Sequence, residues 1–182
     1  PAVADIKGAA RMVELLRRTA RQQAPGSPRE FRLFWRDNTL VLDQRRLGQL
    51  RRQLMSHGQR NRQLPRIAHA LLDVLWRQVR SERGVERGRE AFNEELLSTD
   101  SFVDFAAHWW PPLTAAEVLG WLADPEFLAR VSEGVVSADE QALLLKSWTS
   151  RDDLSVHDIP LLDELRYALG DIPTKLLEDR TL

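Results

Sequence analysis

The chain has 182 residues, with 26 Lys+Arg against 27 Asp+Glu and a formal net charge of -1. That balance excludes a polybasic tail, an acidic solvating tail and a membrane-surface peptide. The absence of cysteine excludes thiol catalysis, thiolate metal sites and a disulfide framework. The two halves nevertheless differ sharply. Residues 1–90 carry 20 cationic and 9 acidic side chains, whereas residues 91–182 carry 6 and 18. An asymmetry of +11 against -12 points to partner surfaces. The 43% hydrophobic content and six Trp are those of a folded domain. No apolar run approaches the roughly 18–20 residues of a membrane span, and no secretory h-region opens the chain. The expectation is a cytoplasmic protein with no membrane partner.

Val3, Ile6, Ala10, Val13, Leu16 and Ala20 recur at steps of three and four, which predicts a first amphipathic helix. Ala24-Pro25-Gly26-Ser27-Pro28 stops it. Phe31, Leu33 and Trp35 alternate with Arg32, Phe34 and Arg36, and Leu40-Val41-Leu42 follows Asp37-Asn38. That pattern predicts a short β-hairpin. Asp43 reads as the N-cap of a helix through Leu47, Leu50 and Leu54, closed by Gly58. Another helix follows Pro65, burying Ile67 or Ala68, Leu71, Leu72, Leu75 and Val79. The charged stretch Arg80–Glu90, with Gly84 and Gly88, reads as a hinge or domain boundary.

The second half reads as short capped helices. Asp100-Ser101 opens one ending at Trp110-Pro111-Pro112; Thr114…Glu117 and Ser137…Glu140 fit capping boxes. Asp124-Pro125 places an N-cap before a first-turn proline. Asp158 reads as the cap of a last helix through Leu161, Leu162, Leu165 and Leu169, stopped by Gly170. The fold expectation is mainly α, about eight helices with one small β-hairpin, elongated or two-lobed. Residues 1–83 would form a basic lobe and 84–182 an acidic one.

A catalytic signature is missing from this pattern. No phosphate-loop G-x-x-x-x-G-K-S/T and no G-x-G-x-x-G occurs, and His57, His69, His108 and His157 form no metal-ligand pair. Leu162-Asp163-Glu164 looks like a Walker B carboxylate pair, but Pro160 and the leucine spacing put it on a helix. Asp152-Asp153 and Glu94-Glu95 read as solvated surface. Two features stand out. Arg32, Arg36, Arg45, Arg46, Arg51, Arg52, Arg60, Arg62 and Arg66, with Arg29, form a basic field that is either a contact surface or a solvated face. Trp35, Trp109 and Trp110 would be docking aromatics if exposed, Trp35 stacking on bases beside Phe34. Core is the favoured reading of the aromatics.

Lys7-Gly8-Ala9-Ala10-Arg11-Met12-Val13-Glu14-Leu15-Leu16 resembles the K-G-x-x-R-M-x-x-x-L helix of bacterial HelD-like ATPases, superfamily 1 relatives of the UvrD and Rep helicases. Phe31–Leu54 is similar to their block of two strands and an Arg/Leu-rich helix, and Trp110-Pro111-Pro112-Leu113-Thr114 to a W-P-x-L-T step. Trp148-Thr149, then Val156-His157-Asp158-Ile159-Pro160-Leu161-Leu162-Asp163-Glu164, resembles their W-T…D-V/I-P-L-L-D-E run, with Ser150–Ser155 as an added stretch.

The resemblance implies an internal insertion that splits the first RecA-like ATPase domain, outside the catalytic motifs. It further implies a non-catalytic accessory domain contacting RNA polymerase core and/or DNA, together with the remainder of the parent ATPase. The parent would bind ATP and Mg²⁺ and hydrolyse ATP; this segment would bind no cofactor. One alternative is a direct DNA-binding module of a UvrD/Rep-type helicase. A second is an unrelated α-helical enzyme whose site is assembled from scattered residues.

Overall fold

The computed structural model describes residues 2–149 and 155–173. Among these the protein is mainly helical, with eleven α-helices, two 3-10 turns and one two-stranded hairpin. They form two compact units, each discontinuous in sequence. Unit 1 comprises Pro1–Gln23, Gln59–Asn61 and Leu113–Leu182; unit 2 comprises Ala24–Gly58 and Arg62–Pro112. This partition is not the expected one at residues 83/84.

Folding also redistributes the charge. The sequence of unit 1 holds 12 Lys+Arg and 16 Asp+Glu, and that of unit 2 holds 14 and 11. The +11/-12 contrast between the halves therefore shrinks to -4 and +3 between the units.

Unit 2 begins with β1 (Phe31–Trp35) and β2 (Asn38–Leu42), antiparallel in the register Phe31↔Leu42 to Trp35↔Asn38. The connecting pair Arg36-Asp37 has φ of 42° and 67°, so both residues are left-handed, as a two-residue hairpin with native twist requires. Asn38 braces the turn. Its amide donates to the carbonyls of Trp35 (3.1 Å) and Arg36 (2.9 Å), and its Oδ1 accepts from the backbone N–H groups of Arg80 and Ser81. On the outer edge of β2, Gln78 takes the Val41 N–H at 2.8 Å and donates to the Val41 carbonyl at 2.7 Å. The side-chain amide thus occupies the place of a third strand.

The inward face of the hairpin (Phe31, Trp35, Leu40, Leu42) packs on α3 (Gln44–Ser56), α4 (Ile67–Trp76), α6 (Arg89–Leu97) and α7 (Asp100–Trp109). Asp43 caps α3 as expected, accepting from the Arg46 amide at 2.8 Å. Phe92 is the hub, with Trp35 edge-on at 4.9 Å and Trp76 tilted at 5.2 Å. The expected hinge is instead a short helix, α5 (Glu82–Arg87), N-capped by Ser81. Gly84 is there for close approach rather than flexibility. A Cβ on it would lie 2.8 Å from Val79 Cγ1 and 2.9 Å from both Asn38 Nδ2 and Ser81 Oγ.

Unit 1 is built from α1 (Ala2–Lys7), α2 (Ala10–Ala20), α8 (Ala115–Trp121), α9 (Pro125–Ser132), α10 (Ala138–Thr149) and α11 (Ile159–Leu169). The single expected first helix breaks at Gly8-Ala9, which, together with α5 and α6, raises the helix count. The local signals of α8 to α11 mostly hold. Thr114 and Asp124 cap α8 and α9, Ser137 and Glu140 exchange both bonds of a capping box, and Gly170 (φ 79°) ends α11. α11 packs on α2 and α8, and α1 on α10. Asn61 pins this packing from within, exchanging hydrogen bonds with Leu113 N–H and C=O and donating to the Gly170 carbonyl.

Asp158 departs from expectation. It sits at the start of α11, yet its carboxylate caps nothing there. It turns back instead, accepting from Ser155 N–H (2.9 Å), Ser155 Oγ (3.0 Å) and Trp148 Nε1 (3.0 Å), and pairs with Lys7 Nζ at 2.7 Å. Both charged side chains are almost completely buried, at 1% and 3% exposure. Lys7 also donates to Ser147 Oγ and lies over the Trp148 ring. Burial by itself would raise the Asp158 carboxyl; the Lys7 ammonium, the Trp148 indole and the Ser155 amide outweigh it and hold the acid below its usual range.

Candidate nucleic-acid interface

The docking aromatics proposed from the sequence belong to the core. Trp35 is 8% exposed, and Trp109 and Trp110 are 2% each. Their bulk is needed inside: Trp35 packs on Phe92, and Trp109 stacks on Phe105. The exposed aromatic of the hairpin is Phe34, at 71%, on the outer face beside Arg32.

The basic field is dispersed as well. Arg60 is 2% exposed within unit 1, too deep to meet a partner. Arg32 is exposed and pairs with Glu30. Arg36 and Arg87 both bind Glu95, which also accepts from Trp35 Nε1 at 2.8 Å. The Arg36 hydrogen bond dominates and, against partial burial, carries the Glu95 carboxyl down to about 2. Glu95 is therefore the anchor of an ion-pair network rather than idle surface. Arg45, Arg52 and Arg62 are exposed and Arg51 is half-buried, none of them lining a depression described below. Asp163 pairs with Arg166 on α11, as a helix-surface carboxylate does. Asp152 and Asp153 lie outside the described residues.

Two of the proposed arginines, Arg46 and Arg66, line one groove, at its opposite ends. Between α3 and α4 runs a surface groove made of two adjoining depressions of about 410 and 350 Å³. The larger is lined by Arg46, Gln49 and Gln53 from α3 and by Arg77, Gln78 and Arg80 from the end of α4 and just beyond, over Leu50 and Val74. Among the described residues no carboxylate lines it. The smaller adds His57, Arg66, His69 and Asp73, and Asp73 is itself paired with Arg89.

The pairing of residues shows why the groove is basic. The beginning of α3 faces the end of α4, and the end of α3 faces the beginning of α4, so the helices run antiparallel. Arg46, Gln49, Gln53 and His57 share one face of α3 by steps of three and four. Arg66, His69, Asp73, Arg77 and Arg80 form the matching stripe along α4 and its ends. Away from the groove the two helices carry the buried Leu47, Leu71, Leu72 and Leu75. Among the described residues Arg66 and Arg77 have no ion pair, Arg46 pairs only with exposed Asp43, and Arg80 donates to its own neighbour's carbonyl.

In the larger depression guanidinium and amide groups face one another without a carboxylate among the described lining residues, which makes a site for oxyanions. Asp73, by contrast, lines the smaller one. The groove holds no nucleophile beside a base, and among the described residues no three metal-ligating side chains converge. Arg77 and Arg80 escaped the sequence reading because they fell at the edge of the supposed hinge. Continuing the polar stripe of α4 from Arg66 by helical steps would have reached them.

In comparisons with known proteins, the chain matches no family model and no curated protein. No helix among the described residues is long and apolar enough to cross a membrane.

Proposed function

We propose that this chain is a non-catalytic accessory module of an ATP-dependent, helicase-like motor of the HelD type, acting in the cytoplasm through contact with RNA polymerase core. The observation that supports this reading is the buried cluster of unit 1. The resemblance rests on short motifs far apart in sequence, and Lys7 of the first meets Trp148 and Asp158 of the last within one hydrogen-bonded group. Residues from the first and last of these motifs thus serve one buried cluster. ATP and Mg²⁺ would be held by other parts of the parent.

The test is capture of purified RNA polymerase core by the immobilised chain. Saturable capture is the expected result; none at low salt overturns the reading. The purified chain is also expected neither to bind nor to hydrolyse ATP, and activity in a clean preparation removes the accessory assignment.

A second reading, direct DNA binding as in UvrD/Rep-type helicases, is favoured by the groove between α3 and α4.

A further inference from the structure

We propose that the α3–α4 groove binds the phosphodiester backbone of duplex nucleic acid without reading its bases, with Arg46, Arg66, Arg77 and Arg80 as the phosphate ligands. The inference rests on the second reading above and names its site and its ligand.

Four arginines on two facing helices supply forked donors matched to phosphate oxygens, and Gln49 and Gln53 add neutral donors between them. The face of α3 from Arg46 to His57 is roughly 16 Å long at about 1.5 Å per residue. One strand of a duplex places a phosphate every 3.4 Å or so along the axis, so that face spans about four or five phosphates. The number of arginines matches.

The choice of duplex follows from what lines the groove. Among the described residues the only aromatic rings there are the imidazoles of His57 and His69; the apolar floor is Leu50, Leu54, Pro65, Ala70 and Val74. Single-strand binders gain by stacking unpaired bases on Phe, Tyr or Trp, and this groove has none to offer. A duplex gains instead from its denser charge, one phosphate per about 1.7 Å of axis when both strands count. With backbone contacts alone, the binding is blind to sequence.

The experiment measures binding of the intact chain to duplexes of two unrelated sequences and to single strands of the same length, from about 20 mM salt upward. Both duplexes should bind equally, and more tightly than the single strands, with a log–log salt slope near -3.6 for four phosphates. Arg77→Ala/Arg80→Ala should reduce the slope by about two and weaken binding at least tenfold, while Arg77→Lys/Arg80→Lys retains most of it. Arg45→Ala/Arg62→Ala, exposed but off the groove, should leave the slope unchanged. All four side chains are exposed, so the melting transition checks that each variant folds.

Absence of any salt-dependent binding ends both the second reading and this inference. Duplex binding whose slope survives Arg77→Ala/Arg80→Ala ends the inference alone and moves the contact to another surface. Equal or tighter binding of single strands overturns the choice of duplex. Competition by polyglutamate as effective as by duplex, charge for charge, overturns the assignment to nucleic acid. Capture of polymerase core is scored separately with the same variants, so loss of one activity is not read as loss of the other.

Discussion

Unit 1 holds a buried ammonium–carboxylate pair, whereas unit 2 keeps its ions at the rim of an aromatic core. Lys7 and Asp158 are satisfied by Ser147, Trp148 and Ser155, and the short helix α1 gains a fixed point of attachment to α10. In unit 2 the rim ions, chiefly Arg36, Arg87 and Glu95, are partly solvated, and Phe92 with its aromatic neighbours holds the centre. A buried pair contributes geometry more than net stability, because desolvating two charges offsets most of their attraction. Apolar burial contributes stability directly. The units should therefore fail in different ways.

The largest difference is expected for Asp158→Ala, which strands the Lys7 ammonium in a dry site. Denaturant titration should show a loss of about 3–5 kcal/mol. Lys7→Met/Asp158→Leu removes both charges and should recover most of that loss. If the single variant is as stable as the parent, the pair is not the anchor of unit 1.

In unit 2 the sensitive points are steric. Gly84→Ala pushes a methyl group against Val79, Asn38 and Ser81, and about 1–3 kcal/mol of destabilisation is expected by thermal or chemical melting. A neutral outcome would return residues 80–90 to the hinge expected from sequence.

A smaller effect is set by pH. Glu95 falls from an ordinary 4.5 to about 2 in the folded protein, so its stabilising contribution is complete above the higher value and lost as pH drops toward the lower. Glu95→Gln should flatten stability against pH in that window. The acid loss that remains would report Asp158, whose carboxyl is also held low. An unchanged profile would mean that the rim ions contribute nothing measurable.

The smallest effect concerns the hairpin turn. Asp37 sits at φ 67°, a region glycine enters without steric penalty, so Asp37→Gly should stabilise unit 2 by about 0.5 kcal/mol. The loss of its exposed pair with Arg83 subtracts little. Destabilisation beyond 1 kcal/mol or so would show that this pair matters more than the turn.

Much of the fold was legible because its signals are local. Asp43, Thr114, Asp124 and the Ser137–Glu140 box each satisfy orphan backbone groups within three residues of themselves, so the sequence alone announces those helix starts. The alternation from Phe31 to Leu42 announces the hairpin in the same way. Asp158 shows the limit: its carboxylate boxes locally with Ser155, three residues away, but the Lys7 ammonium that pairs with it is 151 positions away. Trp35, Trp109 and Trp110 carry no local mark that separates core from surface.

The sequence by itself determined most of the elements: helices that start at capped positions, a short hairpin, and a chain without cysteine chemistry or a nucleotide-binding motif. Tertiary structure decided which charges become neighbours. It brought Arg77 and Arg80 beside Arg46 in one groove, buried Arg60, and tied Arg36 to Glu95. It also mixed the basic and acidic halves into units of -4 and +3. The reason is physical. Caps and turns depend on atoms a few residues apart, whereas a field depends on where packed helices place side chains that the chain order keeps apart.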